Sequence, residues 1–374
     1  MKKPVWHSLI FTAIICLVVF VLNALSPSLP LSSRAIVVGI AIDLEGDQVH
    51  LAAQIIQSGS SGESSKPGNS TYAILKGKGD SLSTAIYDIT SSSGYFVSLA
   101  HCSAVILGES MRGVDCFMPL SYLVKNTKLA DDAVVVFSEG KGEDLLKNEV
   151  GLSFLSAFGL KKLESANSDY SKAVNCSVRD FMVGEKSVLS TKVVPLVRLG
   201  EKIEEPEGAQ QNSGEKVEFK LDEAVVISRA GEVVLNETQT FGYNLVKKNF
   251  KLGNVTLKDG NDITDLVFST KSSSMELTRS NNGCELTAKI EITFLAFSEG
   301  RRVGHEREIS NQAILDLEKK YADAISDVFE ISRDIGLDVY CACEERVRVF
   351  GEDFDAEEFM RSLTFTAQVK INII

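Results

Sequence analysis

Histidine is nearly missing from this chain of 374 residues, and that scarcity closes off much catalytic chemistry. The four present, His7, His50, His101 and His305, lie far apart. Neither a His-x-x-x-His nor a Cys-x-x-Cys spacing occurs, so a closed zinc site has no ligand set. A G-x-S-x-G elbow, a P-loop and a G-x-G-x-x-G turn are also lacking. Gly77-Lys78-Gly79 has no third glycine for a phosphate cradle and precedes a short helix. Asp131 and Asp132 would face opposite ways on a strand, so a solvated loop is the simpler reading of that pair. No nucleophile, base and orienting group assemble. The expectation is a protein that is not an enzyme, with no cofactor and no metal.

Positive charge is in deficit too. A net charge of −12 and a pI near 5.0 exclude nucleic acid as a partner and argue against broad adhesion of the body to anionic lipid. Cysteines number seven, an odd count scattered through apolar segments, which does not suit a disulfide scaffold. Free, buried thiols are expected instead, as befits a reducing or anaerobic setting. Cys341-Ala342-Cys343 comes nearest to a redox motif, but a one-residue gap would strain a mutual disulfide.

What the sequence does have is one long hydrophobic run. After Lys2 and Lys3, residues 9–22 are apolar apart from Thr12, and Leu25 closes the stretch. Residues 9–25 as a helix reach the short end of what crosses a bilayer. Positive charge before the run favours a cytoplasmic N-terminus and an exported body. Leu9, Ile10, Phe11, Leu17, Phe20, Leu22 and Leu25 are the expected membrane-anchoring side chains. Signal cleavage is disfavoured: Ala24 and Ser26 are small, but Pro27 follows. Lipid attachment at Cys16 is not expected, because Ile15 stands where a small residue is needed.

Pro27-Ser28-Leu29-Pro30 is a stiff spacer that ends the anchor. Residues 35–43 (AIVVGIAID) read as a strand buried on both faces, with residues 49–56 returning as its hairpin partner. A Gly/Ser-rich surface loop is expected at 58–69 and a third strand at 72–76. Asp80 or Ser81 can cap a helix with Leu82, Ala85, Ile86 and Ile89 on one face. Strands at 102–107 and 133–137 alternate with helices near 114–125 and from 142. Residues 191–199 are strand-like, with Pro195 predicting an edge position. Residues 201–215 (EKIEEPEGAQQNSGE) are the sharpest shift of composition, and a boundary is expected there. Beyond it a hairpin at 223–235 and strands near 255, 266 and 286–297 are predicted. A helix follows from Ser310 to Gly336, with Ile314, Leu317, Tyr321, Ala324, Val328, Ile331 and Ile335 at steps of three and four. The fold class expected is α+β: mixed sheets with packed helices in two to three domains, the last a curved sheet against one long helix. The units are an anchor and spacer at 1–31, an α+β domain at 32–200, a linker at 201–216 and a second α+β domain at 217–374.

This order of segments resembles the Ger(x)C family, the C subunits of bacterial spore-germination (germinant) receptors. The likeness rests on residues 35–43 with Gln54-Ile55-Ile56, on Gly77-Lys78-Gly79, and on Ala85, Phe96, His101, Val105-Ile106-Leu107 and Gly108-Glu109. It continues through residues 133–137 with Gly140, then Ala224-Val225-Val226, Leu235, Glu237-Thr238, Gly242, Leu337-Asp338 and the terminal strand at 365–374. The resemblance implies a tethered subunit on the outer face of the inner spore membrane. Its partners would be membrane-embedded A and B type subunits, with a small nutrient bound at the level of the complex. Ser32-Ser33-Arg34 stands where such proteins usually carry a lipidated cysteine, so an apolar helix replaces the lipid. His101 is the polar residue whose place matches the family pattern; it is a candidate partner contact, the simpler reading being a histidine satisfied by hydrogen bonds at a strand start. Gly39, Gly77, Gly79 and Gly108 are expected where backbone turns tightly or is closely approached. A membrane-tethered solute-binding protein is the alternative, and it predicts a cleft between the halves.

Overall fold

The computed structural model describes residues 4–25, 34–56, 72–150, 153, 155–203, 217–247, 252–259, 262–280, 283–299, 310–351 and 353–373. Helix α1 (Pro4–Leu25) comes first. The first body then runs β1 (Arg34–Glu45), β2 (Gln48–Ile56), β3 (Tyr72–Gly79), α2 (Leu82–Ser93), β4 (Phe96–Ser98), β5 (Ala104–Leu107), α3 (Phe117–Thr127) and β6 (Val134–Ser138). It continues with α4 (Gly142–Lys147), α5 (Ser156–Asp169), α6 (Val178–Glu185), β7 (Lys192–Lys202), β8 (Val217–Ile227) and β9 (Glu232–Leu235). The second body comprises α7 (Glu237–Lys247), β10 (Gly253–Asp259), β11 (Asp262–Ser280), β12 (Gly283–Glu299), α8 (Asn311–Ile335), α9 (Ala342–Phe350), α10 (Ala356–Ser362) and β13 (Thr364–Ile373).

Among the described residues the first body holds a nine-stranded sheet ordered β3-β2-β1-β5-β6-β7-β8-β9, with β4 also pairing β1. β4 and β5 both run parallel to β1, at Arg34–Ile36 and at Gly39–Ile42, so they are two pieces of one interrupted strand. β1, β5, β6 and β7 are parallel neighbours, while β2, β3, β8 and β9 pair antiparallel. The unbroken apolar run of β1 follows from burial on both faces. Val37, Ile40 and Ile42 meet Leu82, Ala85, Leu120 and Phe181 on one side. Val38 and Ala41 meet Leu145, Leu146, Ala157 and Leu160 on the other. Ser81 caps α2 by accepting from Thr84 N, and Gly94 ends the helix in the left-handed region. Gly77 is fixed by closeness: a Cβ there would sit 2.2 Å from the Ala85 carbonyl oxygen. The loop expected at 58–69 lies outside the described residues.

Two expectations are corrected. Pro195 lies on an interior strand, because β7 sits between β6 and β8. Pairing with β6 involves only Leu196 and Val197, just past the proline, so its missing N–H removes no ladder bond there. The hairpin expected to open the second unit instead completes the first sheet, β8 pairing β7 and β9 pairing β8. The composition shift therefore falls between two paired strands. β8 is apolar on both faces for a reason: Val225 and Ile227 belong to the first core, and Ala224 and Val226 to the second.

The second sheet is ordered β10-β11-β12-β13, β13 running parallel to β12 after the helical crossover. β12 alternates as an exposed-face strand should, burying Leu286, Ala288, Ile290, Ile292 and Phe294. Register shifts between Val267 and Phe268 and between Thr270 and Ser272 mark bulges that curl the ribbon. α8 lies against it, with Ser310 accepting from Ala313 N at one end and Gly336 left-handed at the other. It buries Leu317, Tyr321, Ala324 and Val328 as its spacing predicts, and Ile325 and Phe329 beside them; Ile335 is exposed. Phe329, Phe365 and Tyr340 stack at centroid distances of 4.5 and 5.5 Å. The α+β class and the curved sheet against one long helix are as expected.

Candidate functional site

In α1 the expected anchor residues Leu9, Ile10, Phe11, Leu17 and Phe20 are all exposed. Leu22 and Leu25 lie within the helix, but their side chains fall outside the described residues. Cys16 is exposed midway along. The described apolar side chains, residues 9–21, cover about 20 Å of helix against a hydrocarbon layer of roughly 30 Å. Among the described residues no helix is long and apolar enough to cross a membrane.

His101 lies exposed in the turn that breaks β4 from β5, where Cys102 N donates to the Leu99 carbonyl at 3.0 Å. Leu99 N donates to the Thr127 carbonyl, and Val134 N to that of Ser103. The turn thus packs beside the α3–β6 loop, where β5 and β6 start. The same loop carries Asp131 and Asp132, both exposed, bonded to Arg179 at 2.6 Å and Lys161 at 2.8 Å. They form ordinary surface ion pairs, as the solvated-loop reading expects.

At the other end of the parallel strands Asp43 is buried where β1 ends. Its carboxylate accepts from Gly142 N at 2.9 Å and Glu143 N at 3.3 Å. Burial pushes its pKa up, and those two N–H groups pull the other way. Gly108 is obligatory beside it, since a Cβ would fall 1.8 Å from Asp43 Oδ1. Gln54, fully buried on β2, donates from Nε2 to Leu146 O and Ser156 Oγ and accepts from Ala157 N through Oε1. Spacing rules did not single out Gln54; its signals are a polar side chain within an apolar strand and its place in the segment that carries the family likeness.

The two bodies are fastened at Asp338. Its carboxylate accepts from Ala342 N (2.7 Å) and Cys343 N (2.8 Å), while Asp338 N donates to Thr191 Oγ1. Val188 N donates to Glu344 Oε1 across the same seam. Cys341 opens α9 in the left-handed region and accepts from Lys247 Nζ at 3.2 Å. Burial pushes both the Cys341 and Cys343 thiols up; Lys247 opposes this at Cys341 and the Asp338 charge reinforces it at Cys343. Protonated thiols are poor nucleophiles and poor metal ligands. The other buried thiols behave alike, Cys102 and Cys116 each being pushed up by burial to about 12. All seven cysteines are free. Beside the seam Glu185 and Lys192 form a buried ion pair, and Arg229 Nη2 reaches the second Glu185 oxygen at 2.7 Å. A groove of about 850 Å³ runs along this junction, lined among others by Leu189, Arg229, Arg333, Asp334, Met360 and Arg361. Among the described residues no group of three His, Cys, Asp or Glu side chains is placed to hold a metal ion.

The buried polar groups of this chain hold loops, helix starts and the seam between sheets, which defines a two-body α+β scaffold. The chain belongs to the Ger(x)C family of spore germination proteins, the C subunits of germinant receptors. Residues 28–199 match the spore germination protein N-terminal domain, and residues 224–374 match the spore germination B3/GerAC-like C-terminal domain. The fold is similar to that in the crystal structure of the GerBC protein, at 15% identity and a TM-score of 0.50 over 90% of this chain and 97% of that one. No curated protein matches the chain.

Proposed function

We propose that this chain is a membrane-tethered, non-enzymatic C subunit that supports assembly or signalling with membrane-embedded A and B type subunits of a nutrient receptor. The observation that carries the reading is α1, an apolar helix exposed on all its described sides ahead of a family-defined body. The backbone stays helical to Leu25, so the apolar run at 9–25 measures about 26 Å. Local thinning of the bilayer or snorkelling of the flanking residues accommodates that shortfall. The tether then holds the acidic body on the outer face of the inner spore membrane, with His101 offered to a partner. Extraction of spore membranes in mild detergent, with this chain as bait, tests the assembly: A and B type polytopic subunits are expected to co-purify. Recovery of the chain alone would overturn it. The mass of the mature N-terminus reads retention of α1 directly.

The groove at the seam favours one second reading, binding of a small zwitterionic nutrient between the halves, since arginines and carboxylates line it together. Thermal unfolding of the full chain against a panel of nutrients discriminates the two. Saturable shifts support solute binding, and a flat panel returns the nutrient to the complex.

A further inference from the structure

The sheet end from which β1 starts has a character unlike the rest of this acidic chain. Arg34 opens β1 and pairs in register with Phe96 on β4. Tyr95 and Phe96 are each 45% exposed. Ile56, at the same end because Ile55 pairs with Val37 on an antiparallel strand, is 41% exposed. The Leu99–Thr127 hydrogen bond draws the last turn of α3 beside β4, bringing up exposed Lys125 and Lys128. The carboxylates of that loop, Asp131 and Asp132, are engaged by Arg179 and Lys161. Exposed aromatics, an exposed isoleucine and exposed lysines thus share one end.

That end is also where the tether arrives. α1 closes at Leu25 and β1 opens at Arg34, so the chain between them can reach at most about 32 Å. Whatever surface α1 enters, Arg34 stays within that distance of it. A leash this short raises the effective concentration of the surface until a weak contact suffices. Aromatic side chains favour the level of lipid headgroups, and lysines favour an anionic leaflet. The net charge of −12 opposes broad adhesion, but repulsion from the far side of the body is screened beyond about 8 Å at physiological salt.

We propose that Ile56, Tyr95 and Phe96, with Lys125 and Lys128, rest in the headgroup layer of an anionic bilayer and fix the orientation of the body on its membrane. The proposal rests on the reading of α1 as a membrane tether, and the two are separable by experiment. The full chain is reconstituted in vesicles of phosphatidylglycerol and phosphatidylcholine whose acyl chains carry bromine next to the carbonyl. Trp6, the sole native tryptophan, reports on α1; a Trp6→Phe, Phe96→Trp double variant reports on the sheet end. Loss of fluorescence to bromine is expected for both. Quenching of Trp6 alone would overturn the headgroup contact and leave the tether standing. No quenching of Trp6 would sink the tether reading, and this proposal with it. Adding Lys125→Glu and Lys128→Glu, both on exposed positions, is expected to abolish quenching at position 96 while the protein keeps its unfolding temperature. Unchanged quenching would refute the part given to the lysines. Loss of quenching at position 96 when polytopic receptor subunits are co-reconstituted would assign the surface to a protein and overturn the lipid contact.

Discussion

Replacing Glu164 by glutamine offers the sharpest test of how this sheet is packed. Glu164 is 1% exposed on α5, and its Oε1 has no hydrogen-bond partner among the described residues. Burial pushes its pKa from the ordinary 4.5 to about 7, against the opposing pull of the Cys176 N–H and of Lys161. Lys161 is engaged by Asp132 at 2.8 Å and cannot neutralise it. Because the folded value is the higher one, the folded state keeps its proton while the unfolded state has released it. Stability is therefore complete below pH 4.5 and falls as pH rises towards 7. The loss levels off above pH 7 at about 3 kcal/mol. Glu164→Gln mimics the protonated acid, so wild type and variant should match in urea unfolding at pH 4.5 and diverge towards pH 8. The variant should be the more stable at pH 8 by up to about 3 kcal/mol. A stability difference that does not change with pH across that window would refute the reasoning, whatever its size.

Gly108→Ala should push the Asp43 carboxylate off the Gly142 and Glu143 amides and cost about 2–4 kcal/mol, read from the urea midpoint. Lys192→Met leaves Glu185 buried with only Arg229 and should destabilise by about 3–5 kcal/mol. Adding Glu185→Gln should recover part of that loss, and a double variant no more stable than the single would count against a charge penalty. His101→Ala, at an exposed turn, should leave the unfolding midpoint unchanged, within about 0.5 kcal/mol. It should lower recovery of polytopic subunits in a detergent pull-down; undiminished recovery removes His101 as a contact.

Much of the architecture was legible because periodicity reports the environment of single elements. β1 read as doubly buried from its unbroken apolar run, and α8 from its stripe and its Ser310 and Gly336 ends. Ile325 and Phe329 escaped because α8 packs against β13 and α7 at once, which widens the buried arc beyond one row. Pro195 misled for a different reason. A proline demands only that no partner need its N–H, and whether the neighbouring ladder reaches that far is a matter of strand offset. Glu185 and Lys192 carry no signal as two charged residues in mixed segments, yet the turn between α6 and β7 buries them together.

The sequence alone determined the apolar N-terminal helix, the acidic body, the strand–helix alternation and the family, since each is a property of local pattern or of segment order. Tertiary structure alone decided that β8 and β9 complete the first sheet and that Asp338 ties the bodies together. It also decided that Glu164 and Gln54 are buried, and that Phe96, Lys128 and the start of β1 share one end. Those outcomes depend on which strand pairs with which across long stretches of chain, and pairing is set by how two-faced apolar strands such as β8 find cover on both sides. No pattern within a single segment encodes that choice.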